Sequence, residues 1–223
     1  MGLFSRRRRE ADPPEEEVEP TTSGPWDVED KPSLGNRVDL GALRIPKRPG
    51  MTLRLELERA SRIPVAATVT IRDSALQLQA YAAPRTMSLW EEVRPELAAS
   101  VKDAAGQVEE VSGEFGTELV ARMPVTTPGG TGTRTVRFVG VDGPRWMVRA
   151  TFSGKAATDT EEAAELESVL RGLVVLRGTQ ARPPREVLPL TVPGQQAPAA
   201  AEEKDGIDSL GVLRRGPEMT ETR

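Results

Sequence analysis

The sequence predicts an α+β domain, an antiparallel sheet of about six to eight strands packed with two main helices. Three observations carry this reading. Apolar and polar residues alternate over 53–57, 65–71 and 76–82, and strand-like patterns resume in four stretches between 107 and 152. Two stretches, beginning at Ser88 and Thr158, switch to helical spacing. The segments between strands are short and rich in Gly, Asp and Pro, as turns require. At 223 residues the chain suits one domain with flanks, and the patterned stretch 38–178 is long enough to bury a core.

Leu53, Leu55 and Leu57 alternate with Arg54, Glu56 and Glu58, so one face of this strand is apolar. Val65, Ala67, Val69 and Ile71 alternate with Ala66, Thr68, Thr70 and Arg72, and Leu76, Leu78, Ala80 and Ala82 with Gln77, Gln79 and Tyr81. The gap Arg72, Asp73, Ser74, Ala75 is of turn length, which predicts a hairpin and an antiparallel sheet. Ser88 is the expected N-cap of the first helix, with Glu91 three residues on and Trp90, Val93, Leu97, Val101 and Ala104 along one face. Pro95 lacks a backbone donor and predicts a kink or restart near Arg94. After Gly106, strands are expected over 107–112, 117–123, 133–141 and 145–152, with turns at 113–116, 129–132 and 142–144. The second helix opens on a capping box at Thr158 and Glu161 and carries Ala163, Leu166, Val169, Leu170 and Leu173 inward; Gly178 is the expected end of the body. The strand 145–152 followed by this acidic-capped helix resembles the Mog1/PsbP-like sandwich, a likeness of fold alone.

Charge divides the chain into 1–37, 38–178 and 179–223: the middle is balanced and both flanks are net acidic. The first flank holds four consecutive arginines, then Glu15, Glu16, Glu17 and Glu19 among prolines; the last is rich in Pro and Ala. Such segments bury too little apolar surface to offset the entropy of ordering, so both are expected to be largely disordered arms.

Composition removes much chemistry. The chain has no Cys and no His, one Tyr, and 25 Arg against five Lys. Thiolate nucleophiles, disulfides, imidazole bases and Cys or His metal sites are therefore excluded, leaving carboxylates or backbone oxygens for a hard cation. No apolar run approaches the length of a membrane span. The basic start lacks the apolar region of a signal peptide, and Arg6 stands where the myristoylation pattern needs Ser or Thr, so neither export nor lipidation is expected.

Several stretches together, Gly24-Pro25-Trp26-Asp27, residues 37–46, Leu89-Trp90-Glu91-Glu92-Val93, Gly113-Glu114-Phe115-Gly116-Thr117-Glu118-Leu119, residues 143–152 and Arg215-Gly216-Pro217-Glu218, resemble an actinobacterial family catalogued as a domain of unknown function. The Arg-over-Lys usage suits such a GC-rich source. The resemblance implies a bacterial, cytoplasmic protein and transfers no catalytic residue.

Candidate sites are few. Arg6, Arg7, Arg8 and Arg9 suit an anionic surface, either nucleic acid or lipid, with Leu3 and Phe4 as a shallow membrane anchor; the plainer reading is a solvated charge run offset by Glu15, Glu16 and Glu17. The glycines at 129, 130 and 132 lack the Lys and following helix of a phosphate loop and read as a hairpin. Glu91/Glu92, Glu109/Glu110 and Glu161/Glu162/Glu165 are candidate acid–base or magnesium groups, though two of these clusters sit in first helical turns, where the helix dipole accounts for them. Trp26 stands alone in a polar stretch, either as a docking anchor or folded back on its own domain. Trp90 and Trp146 suit the core, and Ile207, Leu210, Val212 and Leu213 form a short apolar cluster fit for docking or for covering a sheet edge.

The functional expectation is a non-enzymatic cytoplasmic module that binds protein partners through segments around Trp26 and around Leu210 and Leu213, with no cofactor. A nucleic-acid-associated accessory protein using the N-terminal arginines with Arg134, Arg137 and Arg149 is the alternative. A carboxylate- or magnesium-dependent enzyme comes third.

Overall fold

Alternating burial along the strands organises the molecule. A computed structural model describes residues 23–127 and 130–194. Among them the elements run β1 (Trp26–Asp27), β2 (Arg37–Asp39), β3 (Leu43–Pro46), β4 (Thr52–Leu57), β5 (Pro64–Ile71), β6 (Ser74–Ala82), α1 (Leu89–Asp103), β7 (Gln107–Gly113), β8 (Gly116–Thr127), β9 (Gly130–Gly143), β10 (Trp146–Gly154), a 3-10 turn (Lys155–Ala157), α2 (Thr160–Arg171) and β11 (Val174–Val175). The main sheet is antiparallel with strand order β4-β5-β6-β10-β9-β8-β7. Its seven strands and the two helices match the α+β architecture expected from the sequence. A second sheet, β1-β11-β3-β2, was not foreseen.

Period two gives the main sheet two different faces. On the first, Leu76, Leu78, Ala80 and Ala82 of β6 and Trp146, Val148, Ala150 and Phe152 of β10 are all buried against Ala163, Leu166, Val169 and Leu170 of α2 and against Leu43, Ile45 and Val175 of the small sheet. Each fully buried large apolar side chain contributes about 1.5–3 kcal/mol, so this layer dominates stability. On the second face α1 lays Leu89 and Trp90 on Leu119 and Met147, with Phe138 and Tyr81 half-buried beside them. Gly140 makes that contact possible: a Cβ there would come within 2.0 Å of the Trp90 ring.

The two helices are capped differently at their N-termini. Ser88 caps α1, its hydroxyl accepting from Glu91 N at 3.1 Å. The cap of α2 is Asp159, whose carboxylate accepts from Glu161 N at 2.9 Å and Glu162 N at 3.2 Å, so the expected cap at Thr158 is corrected by one residue. A charged acceptor binds those amides more strongly than a hydroxyl does, and Thr158 closes the preceding 3-10 turn instead. The expected restart near Arg94 is absent, since α1 runs unbroken through Pro95. Pro95 and Glu91, whose carbonyl loses its donor, are both exposed, so the missing bond falls on the solvent side.

The packed body is also wider than 38–178. Trp26 N donates to Leu173 O at 2.9 Å and Val28 N to Val175 O at 3.0 Å, which attaches β1 to β11. Beyond Gly178, Leu188 N donates to Ala80 O at 2.8 Å and Leu190 N to Pro64 O at 2.7 Å, and both leucines enter the core. Local composition could not show this, because the pairing partners lie more than a hundred residues away.

Candidate functional site

α1 packs over β7, β8 and β9 and reaches Met147 of β10 and, at its rim, Tyr81 of β6, so it covers about half of the second face. The other half, over β4, β5, β6 and the adjoining part of β10, carries the polar members of each alternation: Arg54 and Glu56, Thr68 and Thr70, Gln77, Gln79 and Tyr81, Arg149 and Thr151. Register places Arg54 opposite Thr68, Thr68 opposite Gln77, and Gln79 opposite Arg149. All but Arg54 are half-buried.

These side chains hold one another. Glu56 accepts from the Thr68 hydroxyl at 2.5 Å through Oε1 and from Gln77 Nε2 at 2.7 Å through Oε2. Gln79 Oε1 accepts from the Tyr81 hydroxyl at 3.2 Å and from Arg149. The Arg149 guanidinium lies 5.5 Å from the Tyr81 ring centroid, within cation–π range. Burial raises the Tyr81 pKa against the opposing pull of Arg149, so the phenol stays a neutral hydrogen-bonding group at ordinary pH. The result is a hydrogen-bonded pattern of donors and acceptors on a sheet face bordered by α1.

A second polar cluster lies on the opposite face, beneath α2. Glu118 of β8, 1 % exposed, pairs with Arg137 of β9 at 3.4 Å, and Arg137 pairs with Glu167 of α2 at 2.6 Å while stacking 4.2 Å from the Phe152 ring centroid. Burial raises the Glu118 pKa; Arg137 and the Phe115 amide pull it back. The arrangement ties α2 to the sheet. Sequence reasoning missed it, although Glu118 and Arg137 share a face in the β8–β9 register, which sets Val120 opposite Arg137.

The residues singled out from sequence do not converge. Trp26 is half-buried in β1 with Lys31 Nζ 3.8 Å from its ring centroid, so it is folded back on its own domain. Arg6, Arg7, Arg8, Arg9, Leu210 and Leu213 lie outside the described residues. Arg137 is drawn into the buried cluster on one face, whereas Arg134 and Arg149 have the parity of the other. The acidic candidates are spread over the surface: Glu92 pairs with Arg185, Glu110 with Arg94, and Glu162 and Glu165 with Arg72. Among the described residues no group of three or more His, Cys, Asp or Glu is placed to hold a metal. A shallow, solvent-open depression of about 380 Å³ at the start of α1 is lined by Thr86, Met87, Ser88, Glu91 and Glu92. No helix among the described residues is long and apolar enough to cross a membrane.

No curated protein matches the chain. Among solved structures it is similar to the solution structure of cyanobacterial PsbP (CyanoP) from Synechocystis sp. PCC 6803, at 12 % identity and a TM-score of 0.34, over 60 % of this chain and 87 % of that one. The family profile of DUF3710, described as a protein of unknown function, matches residues 24–199, a span that takes in both sheets and both helices. The chain belongs to the DUF3710 family.

Proposed function

We propose that the protein is a non-enzymatic, cytoplasmic interaction module whose recognition surface is the polar half of the seven-stranded sheet that α1 leaves uncovered among the described residues, and whose partner is a polar segment of another protein. The observation that carries this reading is the pairing of Glu56 with Thr68 and Gln77, and of Gln79 with Arg149 and Tyr81, on a face that α1 leaves open. Side chains already held in place lose little further entropy when a partner binds, which is how a polar surface gains affinity. The cytoplasmic placement rests on the family resemblance carried by the sequence. The segment around Leu210 and Leu213 belongs to the same proposal as a second docking element.

The nucleic-acid reading has less support. Single-strand binders combine a basic groove with stacking aromatics, whereas here Tyr81 lies against Arg149 and Phe138 packs within the α1 cluster.

Photo-crosslinking in the native host tests the proposal. A benzophenone side chain at Thr70 or Gln77 is expected to trap one and the same protein, and the same group at Glu109 on the far edge is not. The purified partner should then bind the wild-type chain at least tenfold more tightly than the Gln79→Ala/Arg149→Ala variant. Adducts that are equal at all three positions, or an affinity indifferent to that variant, would overturn it.

A further inference from the structure

The outer edge of the open face is β4, which pairs only with β5 among the described residues. Its core-facing residues are incompletely covered. Leu53 and Leu55 are only partly buried and Leu57 is 44 % exposed, whereas Ala67 and Val69 on the neighbouring strand are 0 % exposed. Ile63, just beyond the β4–β5 turn, is 39 % exposed. On the other face Arg54 is exposed and makes no ion pair among the described residues. An edge with unpaired backbone groups, an apolar row and an unpaired charge is a template for another strand.

The backbone phase restricts which strand fits. Glu58 N donates to Ile63 O at 2.9 Å, toward β5. The register shifts between Glu56, which faces Ala66, and Leu57, which faces Pro64, so the extra residue, Val65, belongs to β5 and the alternation along β4 is continuous; it turns the amides and carbonyls of Leu53, Leu55 and Leu57 to the free edge. A second copy of β4 running antiparallel must match outward residues to outward residues, so the symmetric registers are few. Centring on Arg54 sets Arg54 against its own copy, and centring on Glu56 sets two carboxylates together. Centring on Leu55 places Arg54 opposite Glu56 of the other copy twice and Leu53 opposite Leu57 twice, with Leu55 meeting itself on the dyad. Opposite charges and apolar pairs directly across strands are the pairings that stabilise a sheet. Each Glu56 oxygen, already accepting one bond, keeps a lone pair for the incoming guanidinium. The other edge, β7, carries Glu109 and Glu110 and no basic residue, so no register of β7 with its own copy pairs opposite charges across the two strands.

We propose that β4 is the seam of a homodimer, in which a second copy of this chain adds its β4 antiparallel in the register centred on Leu55 and joins the two sheets into one. The dyad stands perpendicular to the sheet, so both open polar halves lie on the same side. They become a single floor, β6-β5-β4-β4-β5-β6, bordered by the two α1 helices. This consequence rests on the reading of the open face as a recognition surface; the seam itself does not. A six-residue strand pair is a small interface, below the roughly 1,200 Å² of stable complexes, so association is weak and concentration-dependent.

Sedimentation velocity of the full chain from about 5 to 500 µM is expected to show a shift from monomer to dimer. Arg54→Glu should abolish it, and Arg54→Glu/Glu56→Arg should restore it, with circular dichroism confirming that both variants fold. The chain lacks cysteine, so Leu55→Cys provides a direct readout of register: facing Cα atoms in a hydrogen-bonded pair are about 5.5 Å apart, within disulfide reach. Under mild oxidation Leu55→Cys should cross-link at least tenfold faster than Thr52→Cys, which this register holds away from its own copy. A monomer at every concentration, a dimer insensitive to Arg54→Glu, or equal cross-linking of the two cysteine variants would overturn the seam. A monomeric chain that still traps its partner from Gln77 removes the dimer alone, and a dimer without any such partner removes the reading of the face alone.

Discussion

Trp146 on β10 donates its indole N–H to the Asp27 carboxylate on β1 at 2.7 Å, joining residues 119 positions apart. Both groups are buried, Trp146 at 1 % exposure and Asp27 at 8 %. Asp27 also accepts from Glu29 N at 2.9 Å, so one carboxylate fixes the turn after β1 and the contact to the main sheet. Asp27→Ala leaves a buried indole donor unpaired and is expected to cost about 1–3 kcal/mol in urea unfolding. Asp27→Asn keeps an acceptor and should cost less. In a Trp146→Phe background, which removes the donor, the cost of Asp27→Ala should shrink by at least half, and an unchanged cost would show that the bond is not what holds β1.

The Glu118 cluster gives a pH dependence of definite sign. Burial raises the Glu118 pKa in the folded chain above its value in the unfolded chain. Between those two values the native state binds more protons than the unfolded state, so stability is greatest below the ordinary glutamate range and falls as pH rises through the raised value. The stability of the wild-type chain relative to Glu118→Gln should therefore decline from about pH 4 upward, and a difference constant to pH 8 would contradict this. Arg137→Met strands Glu118 as an uncompensated buried charge. It should cost about 3–5 kcal/mol at neutral pH and less in acid, where Glu118 is protonated.

Local features were legible in the sequence and long-range ones were not. Alternation placed Leu76, Leu78, Gln77 and Gln79 on their correct faces, and the hairpin expected over 72–75 is present, its turn narrowed to Arg72 and Asp73 because Ser74 and Ala75 already belong to β6, with Ile71 facing Ser74. The polar row of the open face was thus readable residue by residue. That α1 covers one half of it, from β7 to Met147 of β10, was not, because the position of a helix over a sheet depends on contacts such as Trp90 against Gly140, which no periodicity encodes. The same limit hid β1 and residues 186–190. Trp26 and Leu188 are held by bonds to Leu173 and Ala80, far off in the chain, while their neighbours in sequence are polar or proline-rich.

Asp142, at the end of β9, acts as a second cap on α1. Its carboxylate accepts from the Ser88 hydroxyl at 2.6 Å, from Leu89 N at 2.9 Å and from Trp90 N at 3.2 Å. Negative charge at a helix N-terminus also meets the positive end of the helix dipole. Asp142→Ala is expected to cost about 1–2 kcal/mol, in the upper range of cap deletions. Loss should concentrate in α1, so hydrogen exchange of the amides over 89–103 should accelerate more than that of β6 and β10. Uniform acceleration across the sheet would mean that α1 does not open as a separate unit.

Pro95 supplies the converse test, a residue whose removal should stabilise. It occupies the seventh position of α1, beyond the first turn where proline is tolerated, and deprives the Glu91 carbonyl of its helical donor. A proline in a helix interior costs about 3 kcal/mol relative to alanine. Because Pro95 is exposed, its replacement creates no cavity. Pro95→Ala should raise the unfolding free energy by about 1–3 kcal/mol, part of the gain being offset by the greater freedom alanine gives the unfolded chain. The sheet beneath α1 should be unaffected. A neutral or destabilising result would show that the proline ring makes packing contacts in α1 that alanine cannot replace.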